Sequence, residues 1–247
     1  VSLLATVSAI TLSLVGYTAL FGTRIKRNVN RMVGVCVLLA SATAVAVLST
    51  AASPQFTALT VTAPTLFVGV ILCLAYDQRV ALAFCVLHGL LVCVALGLTI
   101  GNYATIILGV CAVVWQLREV RDRATIVRMS TFTALALAAA TCIIGFLERP
   151  LFGAAGAQVI FEIATDSALA AGGSIAVGAA TLFILPTIEK LLDITTGMTL
   201  TELRDPKHPL LRELQMRAPG TYSHSLNVAA ISESAADAIG ANSLLTY

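Results

Sequence analysis

The residue of this chain best suited to chemistry is His224, in the run Ala218-Pro219-Gly220-Thr221-Tyr222-Ser223-His224-Ser225. Neutral imidazole is the commonest metal ligand among side chains. One imidazole cannot hold a metal by itself, and on spacing alone His224 reads as a polar residue near a helix cap. Glu162 and Asp166 stand one helical turn apart. Inside a bilayer such carboxylates mark an ion or proton path; on a water-facing extension of a helix they are ordinary solvated charges, which is the reading favoured here. His88 sits mid-run between Leu87 and Gly89. A lone histidine there hydrogen-bonds a neighbouring helix more readily than it binds a ligand. The six cysteines (Cys36, Cys73, Cys85, Cys93, Cys111 and Cys142) all fall in apolar runs without a CxxC pair. They read as small packing residues rather than metal or disulfide partners.

The elements that must position these residues belong to lipid. Hydrophobic residues make up 58% of the chain and charged residues 11%, against about 25% charged in a soluble domain. Mean hydropathy is +0.92. A net charge of +2 is too small to argue for nucleic acid. The chain opens on Val1 with no basic segment ahead of the first apolar run, so it makes a poor signal peptide and reads as a fragment.

A helix needs about 20 apolar residues to cross a hydrocarbon core of about 30 Å. Val1–Phe21, Met32–Gln55 and Leu59–Tyr76 meet that need without a charge, the last with Pro64 in its first turns, where proline is tolerated. Val80–Leu117 is too long for one span, and Gly101-Asn102 is the expected turn, dividing it into Val80–Ile100 and a short Tyr103–Leu117. Met129–Leu147 and Ser167–Ile188 complete about seven spans. Continuous rather than alternating runs exclude a barrel. The fold class is therefore all-α, a polytopic membrane helix bundle.

Lys and Arg set the orientation. With the N-terminus outside, one side holds Arg24, Lys26, Arg27, Arg31, Arg79, Arg118, Arg121, Arg123 and Arg128, and the other only Arg149. This asymmetry places the C-terminal tail in the cytoplasm. In the seventh span Ala170, Ser174 and Gly178 recur at i, i+4, i+8, a small-residue face for packing within one bundle, with dimerisation as the alternative. Pro186 is a candidate kink at the inner end. No paired broken helices or Gly-rich phosphate loop support a transporter.

Beyond Leu192 the character changes. Gly197 is an expected break, and Arg204-Asp205-Pro206-Lys207-His208-Pro209 an expected connector. Leu210, Leu211 and Leu214 have helical spacing, with Arg212 and Glu213 opposite. Ala218-Pro219-Gly220 ends that helix, and Thr221 is the expected N-cap of the next, with His224 in its first turn. That helix is expected to bury Leu226, Ala229 or Ala230, Ile231, Ala235 and Ile239 and to show Glu233 and Asp237 to water. Gly240 is a C-cap candidate and Asn242 the cap of a further helix.

Taken in order, His208-Pro209-Leu210-Leu211, Arg217 to Leu226 and Ala235 to Asn242 resemble the start of the HD domain in the PgpH-type seven-transmembrane HD (HDIG) phosphohydrolases, a family of bacterial membrane proteins. Pro186-x-x-Glu189, Thr195-Thr196 and Leu200-x-Glu202-Leu203 resemble that family's last span and juxtamembrane segment. The likeness is dense over Leu185–Asn242. It implies a division into residues 1–192, a seven-span transmembrane domain; 193–209, a juxtamembrane connector; and 210–247, the N-terminal part of a cytoplasmic, all-α HD domain. It also implies an anchor helix and an extracellular domain upstream.

The implied activity is a membrane-anchored, metal-dependent phosphodiesterase that hydrolyses cyclic di-AMP with two divalent transition-metal ions (manganese or iron). His224 matches the first metal-ligand histidine; Ser223 stands where the family often has another histidine. The His-Asp dyad belongs downstream of Asn242, so no catalytic residue is assigned within these residues and the fragment is expected to be inactive alone. The implied partners are the lipid bilayer of the bacterial inner membrane, a cyclic dinucleotide and an unknown extracellular ligand, with oligomerisation left open. A non-catalytic seven-span receptor, or a transporter using Glu162, Asp166 or His88, are the alternatives.

Overall fold

The structure is a computed structural model that describes residues 2–21, 29–117, 123–149, 156–192 and 197–247. Arg24, Lys26, Arg27, Arg118, Arg121, Thr195 and Thr196 lie outside the described residues. The described residues form two compact units, one ending with the long helix at Leu192 and the other covering 197–247. All regular elements among them are helical.

In the first unit the helices are α1 (Ser2–Phe21), α2 (Val29–Ala52), α3 (Thr57–Ala75), α4 (Gln78–Leu96), α5 (Ile100–Gln116), α6 (Arg123–Glu148) and α7 (Gly156–Leu192), with a 3-10 turn at Pro54–Phe56. Five are long and apolar enough to cross a bilayer: Val29–Ala52, Pro54–Ala75, Gln78–Leu96, Arg123–Glu148 and Gly156–Thr187; Ala5–Leu20 and Ile100–Gln116 are shorter apolar helices. Large apolar side chains point outward, with Leu135 73% and Phe183 87% exposed. In water that surface would aggregate; in a bilayer it meets its own kind. The bundle is a multi-pass membrane domain.

At its centre lies α3, which buries Val61, Leu66, Val70, Ile71 and Leu72 and packs on α2, α4, α5 and α7. Pro64 falls in the third turn of α3, which starts at Thr57, two residues ahead of the expected Leu59. Helix α7 also packs along α6. Ala170, Ser174 and Gly178 are buried. The Ser174 hydroxyl donates to the Ser130 carbonyl at 3.0 Å. A Cβ at Gly178 would lie 2.5 Å from the Ser130 Cβ. The small-residue face thus serves contact within the bundle, as its spacing suggested.

The turn between α4 and α5 is not where Gly101-Asn102 predicted it. The chain reverses at Gly97, whose φ of 64° is the left-handed conformation glycine adopts most easily. Leu98 N–H bonds back to the Cys93 carbonyl at 2.9 Å. Thr99 then caps α5, accepting from the Asn102 backbone N–H at 3.4 Å. Two closing devices within three residues outweigh the Gly-Asn pair, which lies inside the first turn of α5. Gly101 serves another purpose: a Cβ there would collide with the Glu148 carboxylate and Ile144.

The second unit comprises α8 (Gly197–Leu203), α9 (Pro209–Arg217), α10 (Pro219–Ala238) and α11 (Ser243–Thr246). Thr221 is not an N-cap. Helix α10 starts two residues earlier, because Pro219 supplies the fixed φ that suits a first helical position and needs no N–H partner. His224 therefore lies in the second turn. The C-terminus closes as expected: Gly240 has φ 68°, with Gly240 N–H bonded to the Asp237 carbonyl at 3.0 Å and Ala241 N–H to the Ala236 carbonyl at 2.8 Å. Asn242 caps α11, its side chain accepting from Leu245 N–H at 3.1 Å.

Candidate functional site

On α10 the expected inward set is split: Leu226 and Ala229 lie on the inward side and Asp237 is exposed, but Ile231, Ala235 and Ile239 face outward. Tyr222 and Ala236 are buried and Ala229 is half-buried, whereas Ile231 is 71% and Ile239 82% exposed, and Ala235 is exposed. At 100° per residue, Tyr222, Leu226, Ala229, Glu233 and Ala236 share the inward face. His224, Val228, Ile231 and Ala235 share the opposite one. Both stripes are apolar, so periodicity detects amphipathy without fixing which stripe is covered; the packing of α9 and α11 decides it.

The inward face is held by Arg204, at the end of α8. Its Nη1 donates to Glu233 Oε1 at 2.7 Å, and its guanidinium carbon lies 3.7 Å from the centroid of the Tyr247 ring. The hydrogen bond from Arg204 to Glu233 and the nearby negative charge raise the Arg204 pKa above its ordinary value. Sequence reading placed Glu233 in water and assigned Arg204 only to a connector. A spacing of 29 residues between them leaves no periodic signal. Leu200, Leu203, Leu211, Leu214 and Leu226 line a cleft of about 290 Å³ beside this clamp.

His224 is exposed and makes no hydrogen bond among the described residues. Zinc-like sites take about four ligands, and paired-metal sites more. Among the described residues no group of three His, Cys, Asp or Glu side chains comes together in a way that could hold a metal. His224 offers one donor on an open face, and the described residues do not by themselves fit a metal pair.

His88 behaves as its position in the apolar run predicts. It is 1% exposed, with Thr43 Oγ1 of α2 at 3.1 Å from Nε2 and Thr65 Oγ1 of α3 at 3.1 Å from Nδ1. Both ring nitrogens are engaged, and the residue ties α4 to two neighbours. All six cysteines are free thiols.

Glu162 and Asp166 are brought together with a residue noted only as an isolated charge. Arg149, at the end of α6, donates from Nη2 to Asp166 Oδ2 at 2.6 Å and places Nη1 3.7 Å from Glu162 Oε2. The Glu162 side chain is half exposed and Asp166 27% exposed, in agreement with a water-facing extension of the last helix. These charges line a cavity of about 480 Å³ with Glu148, Asn102, Thr105 and Thr141. The signal in the sequence was a solitary arginine just before a short loop and two carboxylates just after it.

The family described as "7TM receptor with intracellular HD hydrolase" matches residues 1–196. The chain is 50% identical to the cyclic-di-AMP phosphodiesterase PgpH of Listeria monocytogenes over 62 residues, 25% of this chain and 9% of that protein. It is 48% identical to the PgpH of Bacillus subtilis over 62 residues, with the same coverage. It is 37% identical to the uncharacterized protein slr0104 of Synechocystis over 93 residues, 37% of this chain and 12% of that protein. The matched stretch is thus about a tenth of the length of these relatives. No solved structure matches. Most of the chain, from the first helix through the whole bundle, is covered by one family description, and the chain belongs to the seven-transmembrane receptors with an intracellular HD hydrolase.

Proposed function

We infer that this chain is the membrane bundle and the beginning of the HD domain of a cyclic di-AMP phosphodiesterase. The observation that carries the reading is the outward imidazole of His224 on α10, in a chain whose bundle belongs to a family named for its hydrolase. Two relatives matched over part of this chain are cyclic-di-AMP phosphodiesterases by name. In this reading the face carrying His224, Val228, Ile231 and Ala235 is the one on which further helices of the HD domain pack. They supply the remaining donors for a pair of divalent transition-metal ions, which in the loaded enzyme would activate water against a phosphodiester. The part played by this chain is narrower: α10 carries one imidazole on the face opposite the Arg204 clamp.

The Lys and Arg asymmetry of the sequence supports a cytoplasmic C-terminal unit, where a cyclic dinucleotide would be met. The bundle then acts as sensor or relay. The test is hydrolysis of cyclic di-AMP by the longer encoded protein with added manganese. Activity that His224→Ala abolishes supports the assignment. Full activity in His224→Ala overturns it, and absence of hydrolysis by the longer wild-type protein favours a non-catalytic receptor.

A further inference from the structure

The cavity where α6 ends and α7 begins has the composition of a ligand site. Its walls are the turn before α3 (Pro54, Gln55), the first turns of α5 and α7, and the last turns of α6. Its volume of about 480 Å³ falls in the range of about 300–1,000 Å³ usual for small-molecule sites. Glycine lets its walls approach one another, since a Cβ on Gly101 would strike Glu148 and one on Gly145 would lie 2.9 Å from Ile163 Cγ1.

The lining is electrostatically unbalanced. Glu148, Glu162 and Asp166 face Arg149 alone. Arg149 is committed to Asp166 through Nη2. Glu148 Oε2 accepts from the Thr99 hydroxyl at 3.3 Å and has no cationic partner among the described residues, whereas Glu162 Oε1 accepts from Gln158 at 3.3 Å and its Oε2 makes only a long ion pair, 3.7 Å, with Arg149 Nη1. Two donors on the same wall are orphaned: Arg149 Nη1 and Thr141 Oγ1 are buried without a hydrogen-bond partner. Buried donors left unpaired are costly, so a partner that satisfies them binds with a matching gain. A carboxylate without a cation (Glu148), a loosely held Arg149–Glu162 pair and an unbonded Thr141 hydroxyl suit a molecule with both signs of charge. The carboxylates do not converge as a metal site would require.

The geometry points to a binding site for a small zwitterion, a primary ammonium group joined by a short carbon link to an anionic oxygen group. The ammonium donates to Glu148 and Glu162, and the anionic oxygens accept from Arg149 Nη1 and Thr141. A free amino-alkyl phosphate and a phosphatidylethanolamine headgroup share this chemistry. A quaternary ammonium, which has no N–H, does not. The site is separate from His224 and from hydrolysis, so its failure leaves the phosphodiesterase reading untouched.

The experiment uses the full chain in nanodiscs, with O-phosphoethanolamine as soluble probe and the thermal midpoint as readout. In phosphatidylcholine discs the probe raises the midpoint saturably, and Glu162→Gln weakens its apparent affinity about tenfold or more. Glu162 is half exposed, so that variant retains its fold. If phosphatidylethanolamine discs already show the raised midpoint and the probe adds nothing, the lipid headgroup is the source. If they behave like phosphatidylcholine discs and the probe still acts, the source is a free molecule. No shift from either the probe or the lipid, or an equal shift in Glu162→Gln, overturns the proposal.

Discussion

The two histidines in helices, His88 and His224, show how differently the two units treat the same side chain. His88 is sealed among helices, and threonines on α2 and α3 take both of its nitrogens. His224 stands on an open helix face with no partner among the described residues. In the bundle a polar group has no water to turn to, so it must be closed by its neighbours. In the C-terminal unit a polar group can be left open, and an open imidazole is free to become a ligand. The difference teaches that burial with full satisfaction marks structure here, whereas exposure without satisfaction marks a residue whose partners come from elsewhere.

The comparison breaks most sharply at His224. Replacing it with alanine in the longer protein is expected to lower cyclic di-AMP hydrolysis more than about 100-fold, since even outer-shell changes at metal sites cost about 10–100-fold. In the present chain, where His224 is exposed, the same substitution should hardly move the thermal midpoint, because surface changes fall within about 0.5 kcal/mol. A large loss of stability would instead make His224 a structural residue like His88. Next in size is Gly178→Val, which forces a branched side chain against Ser130 and should destabilise the bundle by about 1–3 kcal/mol in reversible unfolding from mixed micelles.

His88→Leu sharpens the contrast from the other side. It removes both inter-helix hydrogen bonds, yet Thr43 keeps the Leu39 carbonyl at 2.8 Å and Thr65 the Val61 carbonyl at 3.4 Å. The expected cost is therefore only about 0.6–1.7 kcal/mol, the scale of measured hydrogen bonds between membrane helices. An unchanged stability would show that the two bonds contribute nothing net. The smallest effect is expected for Glu233→Gln. Its ion pair with Arg204 is partly exposed, so the loss should stay under about 1 kcal/mol and shrink in high salt. Faster amide exchange in α8 would register it.

What could be read in advance follows the same division. The spans were legible because a bilayer allows few ways to be polar, and an uncharged run such as Val1–Phe21 has little choice but helix. Within that run of spans the α4–α5 turn was misplaced: two glycines competed, and only the neighbouring Thr99 cap distinguishes Gly97 from Gly101. The C-terminal helix α10 was found and its glycine stop placed, but residues of two stripes were merged into one face, since Ile231 and Ile239 are as apolar as Leu226 and Tyr222. The Arg149 cluster escaped because its members are joined across a loop, and pairing across loops leaves no period to detect.

Helix α7 carries one more consequence. Its 37 residues extend about 55 Å at 1.5 Å per residue, far beyond the hydrocarbon thickness, so the rod must tilt or protrude. The end that holds Asp166 and the end that leaves toward α8 are parts of a single stiff shaft. The one weak joint along it is Pro186, which has no N–H to offer the Leu182 carbonyl. Bending at that joint requires no rearrangement of the packed stretch between Ala170 and Gly178.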